Sequence, residues 1–322
     1  MSQSKPNQPL IQSLDVLGDI IAIPVDQLHQ RYRQTQFALK VPEHFAQQIE
    51  KGNLDDPLLR QILPDVEENK MVAGYSQDPV GDLHANPTDS LLHKYQGRAL
   101  LITSPQCDIH CRYCFRRHFP YEQAKKRHWQ TALEHLAQDD SIHEIILSGG
   151  DPLTLSEQGL IDLLHQLEQI PHLETLRIHS RTPIVAPDRA LKSEWIQALK
   201  ASRLQKVLVV HCNHPNELSE QTRQTLRAYR DVGTMLLNQS VLLKGVNDSA
   251  SILKALSKKL FSQGVLPYYC HLLDRVEGAA HFEVADTPAW QIFETLRQEL
   301  PGYLVPKLVR EIAGEPHKTP VN

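Results

Sequence analysis

Between residues 99 and 272 the chain alternates short apolar runs with longer amphipathic ones. The runs Ala99 to Thr103, Glu144 to Leu147, Thr175 to Ile178, Lys206 to Val210, Thr234 to Leu237 and Leu266 to Leu272 have the length and composition of strands. Between them WQTALEHLAQ, EQGLIDLLHQLEQI, SEWIQALKA, SEQTRQTLRAYRDVG and SASILKALSKKLFSQG repeat apolar residues every three or four positions. That spacing predicts helices long enough for right-handed crossovers. Six βα units predict an α/β fold, a partial (βα)6 TIM-like barrel, with a doubly wound open sheet as the alternative. Upstream, from about Gln12 to Met71, LDVLGDII and FAQQIEKG have helical spacing, and Pro24, Pro42, Pro57 and Pro64 cut it into short helices. The pattern therefore divides the chain into a helical N-terminal extension, residues 1–90, and a barrel domain with a C-terminal tail, residues 91–322.

Polar and reactive residues recur where the predicted strands end. Cys107 follows the first, Gly149-Gly150-Asp151 the second, Ser180-Arg181 the third, His211 the fourth, Asn238-Gln239 the fifth and Asp274 the sixth. Barrel enzymes build their sites at that face. Composition agrees, with 41% hydrophobic and 22% charged residues, the balance of a soluble globular chain. A formal net charge of -4 gives no global attraction to nucleic acid, and only the stretch Arg112 to Arg127 offers a local basic patch. No apolar run approaches the roughly 20 residues that cross a bilayer, and the start MSQSKPNQPL lacks a signal peptide's apolar segment. The expectation is a cytoplasmic protein with neither membrane nor nucleic acid as partner.

Three of the five cysteines crowd into QCDIHCRYCFRRH as C-x3-C-x2-C. Two chemistries fit such a loop. Cys107, Cys111 and Cys114 can hold an iron–sulfur cluster with one iron left open, since Cys212 and Cys270 are remote. Alternatively they can hold zinc with His110 or His118 as fourth ligand, and Arg112, Arg116 and Arg117 would then make a small nucleic-acid-binding module. The lack of a second ligand pair at finger-like spacing and the βα units favour the cluster.

The cysteine loop after a first barrel strand, with Tyr113 before the last cysteine, resembles the radical S-adenosylmethionine superfamily. Within it the chain is most similar to the lysine 2,3-aminomutases, through ALLITSPQCDIHCRYCFRRHF, IILSGGDPL, RIHSRTPIV, HCNHPNE, LLNQSVLLKGVND and PGYLVPKLVREIAGEPHKTPV. The likeness runs from about Lys94 to the C-terminus. Chain length and the wording of SPQC, CFRRHFPY and GYLVPKL bring it nearest to the short form that makes β-lysine for modification of elongation factor P.

That resemblance implies a [4Fe–4S] cluster on Cys107, Cys111 and Cys114, with S-adenosyl-L-methionine on the fourth iron. Gly149, Gly150 and Asp151 match the segment that meets the methionine amino group. Lys318 matches the catalytic lysine that carries pyridoxal 5′-phosphate, and Tyr95, His211 and Gln239 match positions around its ring. Lys94, Arg98 and Arg181 are candidates for its phosphate or the substrate. Arg116 matches the partner of the substrate carboxylate, and Asp274 and Glu311 match the two acids that receive the lysine side-chain ammonium. Glu311 departs from the family's usual aspartate. The implied reaction is isomerisation of free L-lysine to β-lysine, supplied with electrons by a donor such as flavodoxin or ferredoxin. The product would pass to the enzyme that lysylates elongation factor P. A catabolic lysine or glutamate 2,3-aminomutase is the alternative within the class, although a glutamate enzyme should carry cations where Asp274 and Glu311 stand. Because the chain stops soon after Lys318, a homodimer and no structural zinc are expected.

Overall fold

The computed structural model describes residues 10–31, 37–88, 90–121 and 129–321. The latter part of the basic stretch, 122–127, therefore lies outside the described residues. The extension opens with an antiparallel pair, β1 (Leu10–Ile11) and β2 (Val41–Pro42), around four short helices, α1 (Leu14–Ile21), α2 (Val25–Arg31), α3 (Glu43–Ala46) and α4 (Pro57–Arg60). Local chemistry sets their ends. Ser13 accepts the Asp15 N–H to start α1, and Asp56 accepts the Leu58 and Leu59 N–H groups at 2.7 and 3.1 Å to start α4, whose first residue is a proline. The helix α4 delivers Gln61 to the interior.

The main sheet contains β3 (Leu91–Tyr95), β4 (Arg98–Ser104), β5 (Glu144–Gly149), β6 (Thr175–Ser180), β7 (Gln205–His211), β8 (Met235–Val241), β9 (Leu266–His271), β10 (Lys307–Arg310) and β11 (Thr319–Pro320). Strands follow one another in chain order across it. Neighbours from β4 to β10 are parallel, whereas β3 and β11 pair antiparallel at the two edges. A doubly wound sheet reverses its strand order at a switch point, and this one does not. Consecutive order among parallel strands is the winding of a barrel wall.

All six predicted strands are present, and β10, inside LVPKLVREIAG, adds a seventh parallel strand. The ends shift by one or two residues in most strands, so Gly149, Ser180 and His211 are the last residues of β5, β6 and β7, and β8 differs most: it continues to Val241, so Asn238 and Gln239 lie within it. The crossovers carry α5 (Trp129–Gln138), α6 (Glu157–Glu168), α7 (Thr182–Val185), α8 (Pro187–Ala190), α9 (Ser193–Ala201), α10 (Glu220–Asp231), α11 (Ala250–Ser262) and α12 (Asp286–Glu299). Ser156, Ser219 and Ser249 cap α6, α10 and α11 through their hydroxyl oxygens.

Helix α6 buries Leu160, Leu163, Leu164 and Leu167 in the same core as Ile145 and Leu147 of β5 and Leu176 and Ile178 of β6. Each such leucine contributes about 1.5–3 kcal/mol by leaving water. Leu17, Ile21, Phe45 and Leu58 of the extension belong to that core as well, so the extension is packed onto the barrel. The sheet curves until its ends meet. Lys94 of β3 and Glu311, just past β10, approach to 3.3 Å across the gap between the two edges. No described helix is long and apolar enough to cross a membrane.

Candidate active site

A cavity of about 520 Å³ opens at the carboxyl ends of the strands. Its lining includes Cys107, Cys111, Cys114, Gly149, Gly150, Asp151, His211, Gln239 and Asp274 on or after β4 to β9. Lys94, Tyr95, Arg98, Arg116, Arg181, Glu311 and Lys318 complete the wall. Every residue that the resemblance singled out for a role at a bound group reaches this one space.

The cysteine loop is folded by local turns, with Cys114 N–H donating to Cys111 O at 3.1 Å and Arg117 N–H to Cys114 O at 3.2 Å. All five cysteines are free thiols. Burial, then the neighbouring thiol Cys114, pushes Cys107 well above the usual thiol range, and burial with Cys111 takes Cys114 to about 11. A loop of this kind gives up its protons only to a strong positive centre. The three sulfurs do not all lie within 4.8 Å of one another. A single zinc ion, with bonds of about 2.3 Å to each sulfur, requires closer thiolates than that, whereas a cluster spreads its ligands over separate irons.

The zinc alternative fails on its fourth ligand too. His110 is held by Ala38 O at 2.7 Å and stacked on Phe37, and the His118 ring faces Glu277 O at 3.5 Å. The arginines nearby are not a nucleic-acid surface. Buried Glu68 accepts from Arg112 Nε and Nη2 at 2.7 and 2.5 Å and from Arg117 Nη2 at 2.6 Å. Burial raises the Glu68 carboxyl, but the two guanidiniums outweigh it and hold it below the usual range. Arg181, a candidate phosphate contact from sequence, is engaged elsewhere. Its Nη1 lies 2.7 Å from Cys111 Sγ, and Nη2 donates to Gln61 at 2.8 Å and Glu217 at 3.0 Å. It donates to the sulfur of Cys111, and a donor so placed orients the thiol it contacts.

The Gly149-Gly150-Asp151 turn is stitched to that loop. Gly150 N–H donates to Ser104 O and Asp151 N–H to Gln106 O, both at 2.7 Å. A Cβ on Gly150 would sit 2.4 Å from Gln106 O, so glycine is required by the backbone preceding Cys107. The Asp151 carboxylate accepts from Ser180 Oγ, Arg181 N, Thr182 N and Leu153 N at 2.7 to 3.0 Å. It ties the ends of β5 and β6 together, and burial raises its pKa above the usual carboxylate value.

The opposite wall is a chain of alternating charges. Lys318 Nζ meets Glu311 Oε2 at 2.5 Å, Glu311 Oε1 meets Lys94 Nζ at 3.3 Å, Lys94 meets Asp82 Oδ1 at 2.5 Å, and Asp82 Oδ2 accepts from Arg116 Nε at 2.7 Å. Burial raises Glu311, but Lys318 and Lys94 win and bring it to about 2. Asp274 stands apart. It is raised to about 7, by burial first and then by Glu311, and its Oδ1 is buried without a hydrogen-bond partner among the described residues. The two acids expected to act as a pair are therefore unlike: Glu311 already holds two ammonium groups, and Asp274 Oδ1 holds none.

Other cavity groups are also left unpartnered among the described residues, namely His179 Nε2, His271 Nε2 and Arg181 Nε. Burial first, then Lys318, lowers His271 to about 3, so its ring is neutral. His211 is likewise held neutral by burial, and its Nε2 lies 2.9 Å from the Tyr113 hydroxyl. Arg98 lies 4.5 Å over the Tyr95 ring and has no carboxylate partner among the described residues. A cavity with open donors and acceptors facing it suits polar ligands. Sequence reasoning missed Asp82, Glu68, Gln61 and Glu217. The first three lie in the extension, where no spacing relates them to the cysteines, and Glu217 lies in HCNHPNE without a functional signature of its own.

The radical SAM superfamily model matches residues 101–255. The L-lysine 2,3-aminomutase of Escherichia coli strain K12 is 53% identical over 288 residues, covering 89% of this chain and 84% of that protein. The L-lysine 2,3-aminomutase of Haemophilus influenzae is 50% identical over 285 residues, covering 88% and 84%. That of Clostridium subterminale is 34% identical over 292 residues, covering 88% of this chain and 68% of that protein.

Proposed function

Because the chain belongs to the L-lysine 2,3-aminomutase family of radical SAM proteins, we propose that it isomerises L-lysine to β-lysine in this cavity, using a [4Fe–4S] cluster, S-adenosyl-L-methionine and pyridoxal 5′-phosphate. When bound, these groups supply a carbon radical and the delocalised system that lets an amino group cross between adjacent carbons. The reading rests most on one observation: three free thiols and Lys318 line the same cavity, and a buried carboxylate oxygen of Asp274 there awaits a partner.

In this reading Cys107, Cys111 and Cys114 are the cluster ligands, and Arg181 steadies Cys111 through its Sγ. The turn at Gly149, Gly150 and Asp151 holds the cysteine loop against β5 and brings its own backbone to the S-adenosyl-L-methionine side. Lys318 is the attachment point for pyridoxal phosphate. Tyr95, His211 and Gln239 surround the ring, and Arg98 is the cation best free to meet the phosphate. Asp82 takes the Nε edge of Arg116, and Arg116 Nη2 makes no hydrogen bond among the described residues, so it is left for the substrate carboxylate. Asp274 receives the side-chain ammonium, and Glu311 completes the pocket through its hold on Lys94 and Lys318.

This arrangement disfavours glutamate as substrate, because a side-chain carboxylate would lie against Asp274 while the nearby cations Lys94 and Lys318 are already held by Glu311. The residues 1–90 then serve as a clamp around the cysteine loop and Arg116, and 91–322 as the catalytic domain. A flavodoxin- or ferredoxin-type donor, a homodimer in the cytoplasm and delivery of β-lysine to the enzyme that lysylates elongation factor P complete the proposal, the last on the likeness to the family's short form. The test is anaerobic product analysis with lysine, ornithine and glutamate on cluster- and cofactor-loaded protein. β-Lysine as the dominant product supports the reading, and preferential turnover of glutamate overturns it.

A further inference from the structure

Outside the cavity, one group of three ligand-type side chains is assembled among the described residues. His93 of β3, His135 of α5 and Asp139 just past α5 bring one ring nitrogen or carboxylate oxygen each to within 4.8 Å of one another. All three are partly buried. His135 and Asp139 are four residues apart, so the helical turn places them on one face, and Asp139 N–H still donates to His135 O at 3.2 Å. Leu91, two residues before His93 on the strand, belongs to the same buried core as Ala132 and Leu136 of α5, and strand alternation turns His93 to that side as well.

The donors are prepared for a ligand. Ser141 N–H and Oγ–H both donate to Asp139 Oδ1, at 3.1 and 2.6 Å, fixing the carboxylate while Oδ2 accepts no hydrogen bond among the described residues. Neither imidazole makes a side-chain hydrogen bond among the described residues. We propose that His93, His135 and Asp139 bind one divalent transition-metal ion of the zinc class, clamping the edge strand β3 onto α5. Two imidazoles and a carboxylate are a borderline-soft donor set that suits zinc and leaves a fourth position for water. Bound nitrogens and oxygens sit about 2.0–2.2 Å from such an ion, so closing the site draws the three side chains together by rotation within their present positions.

The place on the strand gives the site a purpose. The register of β3 against β4 shifts between Leu92 and Tyr95, so His93 and Lys94 form a bulge where the ladder is interrupted. Lys94 and Tyr95 enter the cavity directly from that bulge. A metal on His93 would restore a cross-link there and fix the strand that delivers both residues. The ligands lie far from the C-terminal end, to which the expectation of no structural zinc referred.

The experiment is an anaerobic calorimetric titration of tag-free, cluster-reconstituted protein with Zn²⁺ alone, comparing native protein with His135→Ala and Asp139→Asn. Native protein should show one saturable site, weakened at least tenfold in both variants, while the cluster's visible absorption stays the same in all three. Zn²⁺ should raise the unfolding midpoint of native protein and raise it less in the variants, which separates loss of the site from misfolding. Native stoichiometry and affinity in both variants, or no saturable site in native protein, would overturn the proposal.

Discussion

Replacing Asp274 by Asn should make the lysine-free protein more stable and the enzyme worse. Burial, with Glu311 beside it, raises this carboxyl from 3.8 to about 7. Each unit corresponds to 1.36 kcal/mol, so an ionised Asp274 in the lysine-free pocket costs on the order of 4 kcal/mol. The folded chain binds a proton here that the unfolded chain releases above pH 4. The cost is therefore absent in acid, grows as pH rises towards 7, and is constant above. Asn carries no such charge. Its advantage in denaturant unfolding of lysine-free protein should widen by about 1.4 kcal/mol per pH unit between pH 5 and 7 and then level off. Lysine use should move the other way. The substrate ammonium needs the ionised carboxylate, so native kcat/KM for lysine should rise with pH towards 7, and the variant should lose about two orders of magnitude or more. Cluster and cofactor content should match native in both assays. A variant gain independent of pH, or lysine turnover unchanged at equal cofactor loading, would refute the assignment of Asp274.

Cys111→Ala should abolish cluster assembly and S-adenosyl-L-methionine cleavage, seen as loss of visible absorption and of turnover after reconstitution. Lys318→Ala should block normal pyridoxal-phosphate loading while cluster absorption persists; an unchanged cofactor band would put the attachment on another lysine. Gly150→Ala changes no ligand, yet its Cβ would fall 2.4 Å from Gln106 O, so cluster occupancy should drop and stability should fall by about 1–3 kcal/mol. Glu311→Gln should lower stability at neutral pH by about 2 kcal/mol, less than for a fully buried pair, because Lys94 and Lys318 keep some solvent. That loss should shrink as pH falls from about 4.5 towards 2, the range over which the native carboxyl gives up its advantage.

The barrel was legible because its units are local: five crossover helices and six strands each announce themselves by period, and the helices observed start and end within two residues of the quoted segments. The cysteine loop was legible because its three thiols lie in one short segment. Lys318 was not legible from local chemistry, since an amine near a chain end is ordinarily solvated, and it became a site residue only through resemblance. Asp82 and Glu68 were beyond reach for a different reason. Each is a single acid in a polar or helical segment, and its value comes from arginines that the fold brings from more than thirty residues away. Gly150 was singled out by resemblance alone, and only the structure shows that a Cβ there would run into Gln106 O.

The meeting of Lys94 with Glu311 means that this barrel is laced along one side by charge and not by a hydrogen-bonded ladder. Unlacing it breaks no backbone bond, so the lateral wall can part between β3 and the tail without melting a strand. The same Glu311 is the ionic partner of Lys318. Whatever removes the positive charge of Lys318 leaves Lys94 as the remaining cation on Glu311, and the lace then tightens onto β3. If Lys318 carries the proposed cofactor, its loading and the hold of the tail on β3 are coupled through the one carboxylate of Glu311.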